Sequence, residues 1–245
     1  MVKVPVKPFR NDAARISSAY AWKFSNLLLL LKSCQIPETA GAFVGVNIST
    51  DLSNLPSPEQ VVAILISHRK THVRLYDADN HLLSALSDAG IEVMVSVTNE
   101  DVLRIGQSSA AAAYWVKKNV AAFVPATNIT AIAVGSEVLS IMPHAARVLA
   151  PAMRNLHKAL ASSNLNYLIK VSTPISMDII PKPFPPSAAT FNTSWNSTIS
   201  GILDFLKSTN SFFMLNTYPY YGYLQRYFPY RIRAFLTADT CQTNS

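Results

Sequence analysis

The sequence predicts an α/β fold, a (β/α)8 TIM-barrel arrangement of which about six βα units are readable. Three observations carry that expectation. Short apolar runs alternate with amphipathic segments through the middle of the chain. The runs are largely apolar rather than alternating, as strands covered on both faces of a parallel sheet are. A polar residue stands where each run stops, and barrels of this kind build their sites at the C-terminal ends of their strands. An open doubly wound sheet would gather such residues at one switch point. No GxGxxG follows the first run and no P-loop occurs, which counts against a nucleotide-binding sheet.

Residues 42–48 form the first expected strand, closed by Asn47 and Ser49. A turn at 55–58 leads into a helix over 59–67, with Ser57 as N-cap and Pro58 at its first position. The second strand covers 72–77 and ends on Asp77. Asp79 caps a helix carrying Leu82, Leu83 and Leu86, which stops at Gly90. The third strand spans 91–97, closed by Thr98 and Asn99, and an Ala-rich helix covers about 108–123. The fourth strand, 129–134, leads to Glu137, and a helix follows over roughly 144–162. Residues 168–172 are the fifth strand, followed by Thr173. A helix over 200–207 and a sixth strand over 212–216, with Tyr218 beyond it, complete the pattern. Asp77 and Thr173 read as a turn former and a cap rather than as site residues.

Charge divides the chain into three parts. Residues 1–40 carry a balance of +4, residues 218–245 carry +2 and the stretch between carries only +1 of the total of +7. The basic character therefore belongs to the ends. No basic stripe marks a nucleic-acid partner, since Arg69-Lys70 and Lys117-Lys118 are isolated pairs on solvated faces. No run approaches the ~18 apolar residues of a membrane span. The two cysteines make no disulfide scaffold. The histidines show no metal-ligand spacing and no CxxC occurs, so no metal site is expected. Residues 1–41 fit more than one reading: a poor secretory signal around Leu27–Leu31, a transit-like segment, or an amphipathic or disordered extension.

The segments GVNIST (45–50), NLPSP (54–58), VRLYDAD (73–79), VTNE (97–100), VGSEVL (134–139), VSTPISMDII (171–180), FPPSAATFN (184–192) and FFMLNTYPYYGY (212–223) occur in one order. Together they resemble glycoside hydrolase family 17, the plant endo-1,3-β-glucanases. The resemblance covers 42–223, leaving 1–41 as an extension and 224–245 as a divergent tail. It implies the barrel, secretion to the extracellular space or cell wall, and cofactor-free retaining hydrolysis of β-1,3-glucan. Sequons opening at Asn47, Asn128, Asn192 and Asn196 fit a secreted protein.

Retention needs two carboxyl groups about 5–5.5 Å apart. Glu137 follows an apolar strand and a glycine that opens access. By resemblance it matches the general acid/base. Tyr218 and Tyr220 offer aromatic faces and phenol groups to sugar rings. Asn99 and Asn47 are further candidates for sugar hydrogen bonds. Three departures matter. Ser136 stands where the family has an Asn that bonds the sugar 2-hydroxyl. Ser49 stands where it has Gly. The family's nucleophile lies in a Glu-Ser-Gly-Trp-Pro-Ser context after strand seven, and no such stretch occurs here. The sequence therefore leads to two expectations. One is a β-1,3-glucan endohydrolase by descent, C-terminally truncated, slow or inactive in this chain. The other is an inactive or vestigial β-glucan-binding protein.

Overall fold

The computed structural model describes residues 4–5, 43–50, 55–181, 187 and 189–218. Strands β1 (Val46–Ile48), β2 (His72–Leu75), β3 (Glu92–Val97) and β4 (Ile129–Val134) pair in chain order, all parallel. β5 comes in two halves, Lys170–Ser172 and Pro174–Ser176. The first half pairs with β4 and the second, also in parallel, with β6 (Phe212–Asn216). Two buried hydroxyls bridge the break. Thr173 Oγ1 donates to Val134 O at 2.8 Å and Ser172 Oγ to Phe212 O at 2.6 Å. They serve carbonyls that would otherwise be buried without this partner. The result is a partial barrel, a parallel arc running from β1 to β6. On its far edge Val4–Pro5 pairs antiparallel with β6. Among the described residues, nothing pairs with the outer side of β1.

The strands are buried as a two-sided sheet requires: Val93 to Val97 are all buried. The helices start where their caps predict. α1 (Pro58–Ser67) opens on a reciprocal capping box between Ser57 and Gln60. Asp79 accepts from Leu82 N at 2.7 Å to open α2 (Asn80–Ala85). One helix was not expected, α3 (Asn99–Gln107), which begins directly after β3. Its polar first turn reads as a loop in sequence. Glu100 and Asp101 there favour a helix N-terminus. The single helix expected over 108–123 is corrected to α4 (Ser109–Val116) followed by a π-helical turn, Lys117–Ala121. Ser108 makes the break: it is extended at φ −136°, ends α3 and caps α4 through Ala111 N. α5 (Val138–Ile141) is short, and α6 (Ala146–Ser162) and α7 (Asn196–Ser208) complete the outer layer.

Outside the arc, the helices and strands share one large apolar core. Inside it lies a smaller cluster of Met94, Ala131, Ala133, Phe212 and Met214. α3 and α6 touch backbone to backbone. A Cβ on Gly106 would stand 2.6 Å from Val148 O, so only glycine permits the approach. Asn155 of α6 donates to Ile105 O at 2.9 Å and so serves a carbonyl at the C-terminal end of α3.

Candidate active site

Beyond Val134 the chain turns on two left-handed residues, Gly135 (φ +66°) and Glu137 (φ +54°). Gly135 is required by conformation and by space: a Cβ there would lie 2.4 Å from Val138 Cγ2 and 2.8 Å from Asn99 Oδ1. Between the two, Ser136 is gripped by Asn99. Ser136 N–H donates to Asn99 Oδ1 at 2.7 Å, and Asn99 Nδ2 donates back to Ser136 O at 3.0 Å. Glu137 N–H donates to Pro174 O at 2.9 Å. A left-handed Glu costs about 1–3 kcal/mol and persists only where its surroundings over-determine it. These three bonds supply that restraint.

The Glu137 carboxyl is held from β6. Its Oε1 accepts from Asn216 Nδ2 at 2.7 Å and from Tyr218 OH at 2.5 Å. Oε2 has no hydrogen bond from a described residue. Arg74 lies on the inner face of β2 and is 3% exposed. Its guanidinium carbon sits 4.7 Å from the centre of the Tyr76 ring, and Nε donates to Ser96 Oγ at 3.4 Å. Burial pulls the Arg74 pKa down to about 10, opposed by Tyr76, Tyr218 and Glu137. Burial pushes the Tyr218 phenol up, and its bond to Glu137 adds to the shift. At neutral pH the site therefore holds a buried cation and a neutral phenol beside the Glu137 carboxyl.

Of the residues singled out in sequence, Glu137, Ser136, Asn99 and Tyr218 converge. Asn99 is the first residue of α3 and turns its amide to the Ser136 backbone, which makes it a brace of the loop. Asn47 is placed differently from expectation. It lies within β1, opposite Arg74 in register, and is 7% exposed. Its Oδ1 is buried without a hydrogen-bond partner among the described residues. It borders a small cavity of about 30 Å³ shared with Phe43, His72 and Met94, and none of Ser136, Glu137, Asn216 or Tyr218 lines that cavity. Burial also removes its sequon from use, whereas Asn128 and Asn196 are exposed. Asp77 and Thr173 are structural, as expected. Asp77 accepts from Asp79 N and from the Thr50 hydroxyl. Tyr220, the tail over 224–245 that underlies the missing-nucleophile expectation, and nearly all of 1–41 lie outside the described residues. The sequence reading missed Asn216, Arg74 and Tyr76. Their signals were present: a lone cation inside an apolar strand, and a polar residue closing one.

Among the described residues, no group of His, Cys, Asp and Glu could hold a metal ion. No described helix is long and apolar enough to cross a membrane. The family model described as glycosyl hydrolases family 17 matches residues 44–244. Glucan endo-1,3-beta-glucosidase 4 of Arabidopsis thaliana is 61% identical over 200 residues, covering 82% of this chain and 39% of the relative. Glucan endo-1,3-beta-glucosidase 2 of the same plant is 54% identical over 189 residues, covering 77% and 37%. The chain thus spans about two fifths of the length of these curated relatives. Among solved structures, CJP38, a β-1,3-glucanase and allergen of Cryptomeria japonica pollen, superposes with a TM-score of 0.73 at 37% identity. That match covers 76% of this chain and 59% of the other.

Proposed function

Because the chain belongs to glycosyl hydrolases family 17, we propose that it acts on β-1,3-glucan as an endohydrolase, with Glu137 as general acid/base. The observation that carries this is the asymmetry of the Glu137 carboxyl. Both donors among the described residues bind Oε1, so the transferable proton belongs on Oε2. Oε2 gives that proton to the glycosidic oxygen as the bond to the anomeric carbon breaks, and the leaving sugar departs as an alcohol. Asn216 and Tyr218 then hold the carboxylate left behind. As the glycosidic bond breaks, a retaining cycle passes the anomeric carbon to a second carboxylate, the group for which the sequence has no family-like stretch. Once it is bound there, Glu137 Oε2 takes a proton from the water that displaces that carboxylate, and the β configuration is restored. The Tyr218 ring lies beside the carboxyl and offers a face for a sugar ring. Ser136 supplies a shorter polar group than an amide near the 2-hydroxyl, which favours slow turnover. A secreted, cell-wall location belongs to the same proposal.

The test is laminarin digestion by the full chain, with product anomers read by NMR. Glu137→Gln is expected to lower oligosaccharide release about 10²–10⁴-fold. Release that survives the substitution would remove Glu137 from the acid role. Laminarin affinity without any release would leave glucan binding and remove hydrolysis by this chain.

A further inference from the structure

We propose that the pocket between the β2–α2 loop, the start of α3 and the π-helical turn after α4 is a second saccharide site, separate from Glu137, that takes one glucosyl unit of a β-glucan chain. The choice of glucan as ligand rests on the hydrolase reading above. The pocket holds about 300 Å³ and none of Glu137, Asn216 or Tyr218 lines it. That volume is at the lower end of the range for small-molecule sites.

Asn119 carries the inference. It lines the pocket, is only 9% exposed, and its amide has no hydrogen-bond partner among the described residues. An amide offers both a donor and an acceptor. A vicinal diol presents the complementary pair. The π-helical turn Lys117–Ala121 brings Asn119 to the pocket wall. Such turns are rare and recur at functional sites. Thr98, also in the wall, is the N-cap of α3 yet makes no side-chain capping bond, so its hydroxyl remains available. Tyr114 and Lys118, one helical turn apart, form another wall. Tyr114 is 61% exposed and presents a ring to the apolar face of a pyranose. Lys118 has no ion pair among the described residues.

Charge points to a neutral ligand. The Asp101 carboxylate is already matched by Arg104 at 2.7 Å. Asp79 is committed to capping α2 and Asp77 to its own turn. What remains is a mixed set of donors and acceptors beside an aromatic ring, which suits hydroxyls better than an anion or a metal ion. Thr98 directly precedes Asn99, the brace of the Ser136 loop. A glucosyl unit seated here would adjoin the Asn99 brace through Thr98 and touch none of Glu137, Asn216 or Tyr218.

The experiment titrates the full chain with laminaritriose by calorimetry, in a Glu137→Gln background so that nothing is hydrolysed. Tyr114→Ala and Asn119→Ala are each expected to weaken one binding event about tenfold, leaving the other unchanged. Tyr114 is exposed, so its variant keeps the fold if Asn119→Ala does not. Stoichiometry and affinity unchanged in Tyr114→Ala would overturn the proposal. Laminarin turnover is measured separately on the wild-type chain. Tyr114-dependent binding without turnover supports the pocket and removes only the hydrolase reading. Turnover without Tyr114-dependent binding overturns the pocket alone.

Discussion

Gly135 and Glu137 share one short turn, and their left-handed backbones serve different ends. At Gly135 the missing side chain makes room for Asn99 and Val138. At Glu137 the same conformation swings the carboxyl toward β6. Gly135→Ala adds a Cβ that meets Val138 Cγ2 at 2.4 Å, at a backbone angle alanine resists. The substitution is expected to cost about 2–4 kcal/mol, combining overpacking with left-handed strain. Urea denaturation measures it. A loss below about 0.5 kcal/mol, the size of an ordinary surface change, would mean that the turn has slack and that Asn99 does not fix it.

At the scale of elements, α3 shows how much a helix pair can rest on one small residue. Its first turn carries Glu100 and Asp101, and Asn155 of α6 reaches its last carbonyls. Gly106 lets the two backbones meet. Gly106→Ala gains helix propensity of about 1 kcal/mol. It also drives a Cβ to 2.6 Å from Val148 O, which is backbone and cannot swing aside. The clash outweighs the propensity, and a net loss of about 1–3 kcal/mol is expected from thermal or urea unfolding. Stabilisation instead would show that α3 and α6 can separate without harm. Since α3 begins with Asn99, separation should also loosen the Ser136 brace.

For the whole molecule, acid sensitivity follows from the contact between α6 and α7. His157 meets the Phe205 ring edge-on at 5.9 Å between centroids. Burial, helped by Lys170, lowers its pKa below the ordinary 6.5. The folded state thus prefers the neutral imidazole. That preference contributes stability above 6.5, and it is lost as pH falls from 6.5 through the lower folded value. The difference in Tm between wild type and His157→Gln is expected to narrow or reverse on acidification across that window. A constant difference would remove His157 from the pH response.

The parallel arc was legible in the sequence because two-sided burial leaves unbroken apolar runs, and the caps at Ser57 and Asp79 are local signals. α3 was not legible because its first turn is polar and its helical state depends on α6. Glu137 could be found from its strand. Asn216 and Arg74 left only local hints, a polar residue closing one strand and a lone cation inside another, and their roles could not be read because these depend on which strands lie side by side.

Four strands set the place of Glu137. It leaves β4, its backbone N–H is tied to the second half of β5, its carboxyl is held from β6, and its neighbour is braced by the residue that opens α3 after β3. The carboxyl therefore works as a gauge of sheet curvature. Any flattening or tightening of the arc must stretch one of these ties before it disturbs the core. Isotopic labelling of that one side chain would report strain across the sheet, including strain produced at a distant edge.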